Sequence, residues 1–431
     1  MQSDAWHIPR RLINAEAFIS LFFNEKYNHN EAKVFAELGF QPGFEPVVIL
    51  YGAQVLPTSL PRTQTTLDLK LLTIDQVIED IQEFIRQMNA KYFNGTKTYW
   101  VTFGGSYSGT LSAFYRETYP ETTIGAVSTS SAVNVLVDYY DSFVNMEANY
   151  RRQSKECVDN LAKAFSTMRD TFYSGTLGRK LLQVKFNLCD AFDENNLTKA
   201  MQFFFSNVYG YLQLINLYSG DNRNAATRNG LDLPQTCKIM TNYTIGDEMD
   251  RVKYIVRNLG TRFVMNIIFL VAMRSWAWQM CTELGYFQTT DGNQSTIFGK
   301  TLPVEFFSDQ CVDLFGQEYT LAFTYDGVAG VRKKYGGASA YRGTNVVFPN
   351  GSIDPWKSLG LLRANEITAK MCKYDLFKGA AHCSDMYPAS SNDTVALELA
   401  RQRILYNLHR WIMEAHSSAN RVTMVAVCRL C

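Results

Sequence analysis

Between Ile74 and Met88, apolar residues at 74, 77, 78, 81, 84, 85 and 88 recur at the spacing of a single helix face. Thr73, three positions before Gln76, predicts a capping box at the start of that helix. Residues 98–103 are β-branched and aromatic, and predict a strand. Gly104-Gly105 breaks it, residues 110–119 predict a helix stopped by Pro120, and residues 124–128 predict a second strand. Strand, tight turn, helix and strand within about 30 residues form a βαβ unit, which implies a parallel sheet.

The texture changes between Leu136 and Ala322. Long segments such as 160–173 and 197–211 predict helices, and strand signals are sparse. Sheet texture returns at 344–348 and 374–377. A closing amphipathic helix follows, with apolar positions Leu397, Ala400, Ile404, Leu408 and Ile412. The fold class this predicts is α/β, a mainly parallel sheet interrupted by a mostly helical insertion. The expected units are a first core segment over 1–135, whose upstream part is atypical, the insertion over 136–322, a second core segment over 323–415, and a polar tail over 416–431 that carries His416.

Composition narrows the function classes. The 431 residues are 46% apolar, 13% aromatic and only 19% charged, which excludes a disordered chain. Forty-two basic against 41 acidic residues give a formal net charge of +1, too little to steer nucleic acid or anionic lipid. The longest apolar run, 263–273, is 11 residues interrupted by Asn266. A bilayer span needs about 20, so the run predicts a buried helix and no membrane span. Nine cysteines and N-x-Ser/Thr sequons at Asn94, Asn196, Asn242, Asn293, Asn350 and Asn392 fit an oxidising, glycosylating compartment, hence a secreted or lysosomal protein. Residues 1–11 lack the apolar stretch of a secretory signal, so the sequence reads as one that starts downstream of its true N-terminus.

The sharpest local signal is Gly104-Gly105-Ser106-Tyr107-Ser108-Gly109. It meets the G-x-S-x-G pattern except that Ser108 replaces the last glycine. A nucleophile elbow lifts a serine hydroxyl above the sheet on a tight strand-to-helix turn, and therefore needs small neighbours. An ordinary Gly/Ser-rich loop is the bland reading. The predicted strand before and helix after favour the elbow, with Ser106 at its apex. A serine needs a base, and the chain holds five histidines: His7, His29, His382, His409 and His416. The order Ser, acid, His with each residue after a strand selects His382, which follows the strand at 374–377. The acid is then Asp354, in Asn350-Gly351-Ser352-Ile353-Asp354-Pro355-Trp356. Asp375 lies inside a strand, and Asp385 is very close to His382 along the chain. Read alone, Asp354 would be a turn residue before Pro355.

These motifs, with Gly-Ala-Ala-His-Cys-x-Asp-Met over 379–386 and the block 274–289 between them, resemble the serine peptidase family of lysosomal prolyl carboxypeptidase, dipeptidyl peptidase II and thymus-specific serine protease. The thymus-type branch is the most similar, because Cys383 follows the histidine. The resemblance covers roughly Leu56 to Met413. It implies an α/β-hydrolase core with a helical cap and exopeptidase cleavage of peptides near proline, by carboxypeptidase or dipeptidyl peptidase action. Ser106 becomes the nucleophile, His382 the general acid/base, Asp354 its orienter and Tyr107 a backbone oxyanion donor. Trp356 matches a position lining the family's proline pocket, where an indole face suits a pyrrolidine ring; its bland reading is core packing. Cys281 and Cys311 match a family disulfide, and Cys157 and Cys237 are expected to bridge the insertion. The pairing of Cys189, Cys372, Cys383, Cys428 and Cys431 stays open.

One departure tempers the resemblance. The family carries a Gly-rich turn upstream of the serine that completes the oxyanion hole, and Val47–Gly52 keeps only its final Tyr-Gly. The alternatives are therefore an esterase or lipase on the same fold, and a non-enzymatic relative with impaired catalysis through a missing upstream segment. No Cys/His spacing predicts a metal, no Gly-rich loop predicts a nucleotide, and no cofactor is expected.

Overall fold

The computed structural model describes residues 47–52, 65–93, 98–220, 231–260, 267–361, 372–387 and 389–428. Five parallel strands form the main sheet in the order β1 (Val47–Gly52), β2 (Tyr99–Gly105), β3 (Thr123–Thr129), β6 (Val346–Gly351) and β7 (Cys372–Phe377). Helix α1 (Ile74–Met88) lies between β1 and β2 in sequence, and α2 (Tyr107–Thr118) between β2 and β3. The elbow turns straight into α2, so this helix begins three residues before the predicted Thr110. Parallel strands need covered faces, and period-two alternation divides the side chains between them. Trp100, Ala126, Val346 and Phe348 share one core with Ile78, Ile85, Leu111 and Phe114 of α1 and α2. Val101, Val127 and Val347 face the other way, onto Ile404, Leu408 and Trp411 of the last helix, α12 (Val395–Cys428). This is the predicted α/β arrangement, with the hydrolase layout that the resemblance implied.

Although β3 and β6 are neighbours, with Ala126 opposite Val346, more than 200 residues separate them. That excursion holds α3 (Asp141–Gln153), α4 (Lys155–Tyr173), α5 (Thr176–Phe186), α6 (Leu197–Leu217), α7 (Leu233–Met240), α8 (Glu248–Gly260), α9 (Ile267–Gln279), α10 (Val304–Phe315) and α11 (Leu321–Tyr335). Its helices bury a second core around Phe143, Leu161, Phe165, Phe205 and Tyr209. Disulfides Cys157–Cys237 and Cys281–Cys311 form as expected. Two short strands that the sequence did not predict, β4 (Leu136–Asp138) and β5 (Gly285–Phe287), pair in parallel, Leu136 opposite Gly285.

Other expectations need correction. Thr73 caps α1 by accepting the Gln76 N–H, but the Gln76 side chain turns to Asp80 instead of closing the box. A reciprocal box forms at Thr65 and Asp68. The polar tail from 416 is helical through Cys428, because no glycine or proline interrupts residues 413–428. His416 is consequently buried, its ring edge-on to Tyr99 at 5.2 Å. Of the apolar run 263–273, residues 263–266 lie outside the described residues and the rest belongs to α9. Among the described residues no helix is long and apolar enough to cross a membrane.

The seat of α12 on the sheet depends on a missing side chain. A Cβ added to Gly125 in β3 would stand 2.1 Å from the Trp411 ring, which is 1% exposed. Gly125→Ala is therefore expected to destabilise by about 1–3 kcal/mol, the range for overpacking a filled core. The change should appear as a lower thermal midpoint; an unchanged midpoint would show that Trp411 does not pack on β3.

Candidate active site

All three residues selected from the sequence sit just beyond the C-terminal ends of strands: Ser106 one residue past β2, Asp354 three past β6 and His382 five past β7. In a parallel sheet those ends share one edge, so residues distant in sequence converge there.

Ser106 adopts φ 60°, ψ −128°. That region is sparsely populated for a residue with a Cβ and costs roughly 1–3 kcal/mol, so the surroundings must impose it. They do so through close backbone approach. A Cβ at Gly104 would stand 2.0 Å from the Ser108 carbonyl oxygen, and one at Gly109 would stand 2.8 Å from that of Thr129. Ser108 therefore replaces the motif's last glycine without difficulty, because the tight approach falls one residue later. The Ser106 N–H donates to the Thr129 carbonyl at 2.9 Å. In this arrangement the Ser106 hydroxyl has no hydrogen-bond partner among the described residues. The elbow meets the His382 turn through neighbours on both sides: a Cβ at Gly105 would stand 3.0 Å from Cys383 Sγ and 2.5 Å from Met386 Sδ.

Asp354 is fully buried and His382 is 5% exposed. His382 Nδ1 lies 2.7 Å from Asp354 Oδ2, and the Trp356 N–H donates to Asp354 Oδ1 at 2.9 Å. Both carboxylate oxygens are thus occupied, which a buried charge requires. Burial alone would drive the imidazole toward its neutral form. The charge of Asp354 outweighs that, aided by the sulfur of Cys383 and by the Asp354 hydrogen bond, and holds the ring's pKa well above 6.5. The His382 N–H donates to the Leu217 carbonyl at the C-terminal end of α6, and the Tyr218 ring stands edge-on to the imidazole at 6.4 Å. The negative end of a helix favours a positively charged ring.

The helical insertion also grips the acid loop. Asn149 of α3, wholly buried, donates through Nδ2 to the Ile353 carbonyl at 2.7 Å and to Asn216 Oδ1 of α6 at 2.9 Å. Tyr139 and Asn145 both donate to the Pro355 carbonyl, at 2.6 and 3.0 Å. Sequence reasoning missed these residues. The signal it lacked is a polar residue on the apolar stripe of its helix: Asn149 lies three past Met146, and Asn216 four past Leu212.

Tyr107 follows the serine, its ring edge-on to Trp276 at 5.6 Å and its hydroxyl accepting from Gln279 Nε2 at 2.6 Å. The block 274–289 therefore backs the elbow directly. Trp356 is half-buried, with ring centroids 5.5 Å from Tyr139 and 5.7 Å from Tyr286. Strand β1 lies beside β2 with Gly52 opposite Gly104, so the strand next to the elbow is in place. The segment after it, 53–64, is outside the described residues. Asn196, Asn242, Asn293 and Asn392 are exposed, Asn350 is 4% exposed, and Asn94 lies outside the described residues. Cys189 and Cys383 are free thiols; nothing is described for the side chains of Cys372 and Cys428, or for Cys431. Among the described residues no group of His, Cys, Asp and Glu could hold a metal.

A buried imidazole–carboxylate pair beside a strained serine can activate that hydroxyl for attack on a carbonyl. Comparison with known proteins agrees on the class. The family model described as serine carboxypeptidase S28 matches residues 51–404. A Caenorhabditis elegans protein provisionally named a serine protease is 32% identical over 82% of this chain and 69% of its own length. The mouse thymus-specific serine protease is 25% identical, over 81% of this chain and 71% of its own length. Human lysosomal Pro-X carboxypeptidase is 21% identical, over 86% and 75%. The chain thus belongs to the S28 family of serine peptidases.

Proposed function

We propose that this chain is a serine-type exopeptidase that cleaves peptides next to proline, with Ser106 as nucleophile, His382 as general base and acid, and Asp354 as the residue that orients the ring. The observation that carries this reading is the buried 2.7 Å pairing of His382 Nδ1 with Asp354 Oδ2, on the turn that packs against the Ser106 elbow. His382 Nε2 takes the Ser106 proton as Oγ bonds to the scissile carbonyl carbon. The resulting oxyanion is received by the Tyr107 N–H. The C–N bond then breaks, the imidazolium returns its proton to the leaving amine, and water attacks the acyl-enzyme by the same route. Trp356, between Tyr139 and Tyr286, offers an apolar wall for a prolyl ring. The proline preference is supported by the name of the Pro-X carboxypeptidase relatives. A secreted or lysosomal location, with glycans on Asn196, Asn242, Asn293 and Asn392, is supported by their exposure, the two disulfides and the lysosomal relatives.

Ser106→Ala is expected to abolish covalent labelling by an alkyl fluorophosphonate; labelling that persists would refute the nucleophile. Peptides ending in Pro-X and peptides beginning X-Pro, offered beside short acyl esters, separate the modes. Turnover of one peptide class is expected, and ester turnover alone would overturn the peptidase reading.

The base must be neutral to accept the proton, and the folded protein holds His382 well above 6.5. Labelling is therefore expected to rise with pH through a midpoint above 6.5. Asp354→Asn removes the charge that favours imidazolium; it should lower that midpoint and slow the reaction by about 10⁴-fold, as for other Ser-His-Asp triads. A parent midpoint at or below 6.5, read from labelling rates across pH, would contradict the pairing.

A further inference from the structure

Three residues past the imidazole lies a second buried acid that the triad does not use. Asp385 is 7% exposed, and its Oδ1 has no hydrogen-bond partner. Its Oδ2 accepts from Thr129 Oγ1 at 2.8 Å. Thr129 ends β3, and its carbonyl is the one that receives the Ser106 N–H at 2.9 Å. One residue therefore holds the nucleophile through its backbone and the histidine's turn through its hydroxyl. A second tie runs alongside, from the Cys383 N–H to Ser130 Oγ at 3.0 Å.

The far side of the turn is clamped as well. Arg401 of α12 donates through Nε to the Asp385 carbonyl at 3.1 Å, and through Nη2 to the carbonyls of Ser384 and Tyr387 at 3.2 and 3.0 Å; its Nη1 pairs with Asp393. The guanidinium thus spends its hydrogen bonds on the backbone and on Asp393, and leaves the Asp385 side chain to Thr129. Burial pushes the Asp385 carboxyl up to about 6, against the Thr129 bond, its own backbone N–H and the charges of Arg401 and His382. A neutral carboxyl keeps its carbonyl oxygen as an acceptor, so the tie does not depend on charge.

We propose that Asp385 is a positioning residue for catalysis: through Thr129 it sets the spacing between the elbow that carries Ser106 and the turn that carries His382. This rests on the triad reading above. Reacting groups must be held near attack distance, and a misplacement of about 1 Å costs about 10²-fold.

The test measures the second-order rate of alkyl fluorophosphonate labelling on the full chain, with the thermal midpoint of each variant recorded beside it. Asp385→Ala and Thr129→Val are each expected to slow labelling by about 10- to 100-fold. The double variant should be no slower than the slower single, because both remove one hydrogen bond. Asp385→Asn keeps an acceptor oxygen for Thr129 and should recover most of the rate. Wild-type labelling in Asp385→Ala or in Thr129→Val, additive losses in the double variant, or an Asp385→Asn as slow as the alanine variant would each overturn the proposal. Should Asp385→Ala not fold, Thr129→Val and Asp385→Asn decide by the same criteria. Ser106→Ala separates the two readings: labelling lost there but unaffected in Thr129→Val sinks only the positioning role.

Discussion

A carboxylate and an imidazole buried against each other at the edge of a parallel sheet set the terms for the rest of this protein. Asp354 has no exposure and His382 almost none. An ion-sized group taken out of water is stable only when its oxygens and nitrogens are satisfied, and the loop backbone supplies that through the Trp356 amide. The pair therefore requires two loops, one after β6 and one after β7, to meet in fixed register. The direct bond from the Ile353 N–H to the Ala380 carbonyl at 3.1 Å is part of that fit.

The helical insertion takes part in holding this register as well as in covering the sheet. Asn149 and Asn216 form a buried amide pair that joins α3 to α6 and reaches the Ile353 carbonyl beside the acid. One residue beyond Asn216, the Leu217 carbonyl receives the His382 amide. An unpaired buried amide would cost roughly 1–3 kcal/mol, so the two helices and the acid loop are stable together in one relative placement. The insertion is thus bonded to both the Asp354 loop and the His382 turn.

Much of the candidate site was legible because the chemistry proposed for it needs residue types that are rare in combination. A serine flanked by glycines between a strand and a helix, then an Asp-Pro-Trp and a histidine that each follow a strand, limit the choices to one order. The G-x-S-x-G pattern singled out Ser106, which adopts the strained backbone of such a turn, and close approach to the backbones of Ser108 and Thr129 accounts for glycine at 104 and 109. The upstream strand was harder to judge, since Val47–Gly52 keeps little of the family motif; it pairs with β2 all the same, because strand pairing asks for backbone and an apolar pattern. The end of the last helix was misjudged for the complementary reason: polar residues suggested a tail, whereas a helix continues until something stops it.

The sequence thus determined the strands of the main sheet and most of the helices, which serine can sit on a strained turn, and which cysteines pair in the insertion. These follow from periodicity, from sterics over a few residues and from resemblance. Tertiary structure alone decided that Asn149 and Asn216 brace the acid loop, that Gln279 holds Tyr107, and that Thr129 serves the elbow and the histidine's turn together. The side-chain bonds among those join residues 67 to 256 positions apart. Such bonds leave no periodic trace, because what selects them is the burial of a polar group that must find a partner wherever the fold brings one.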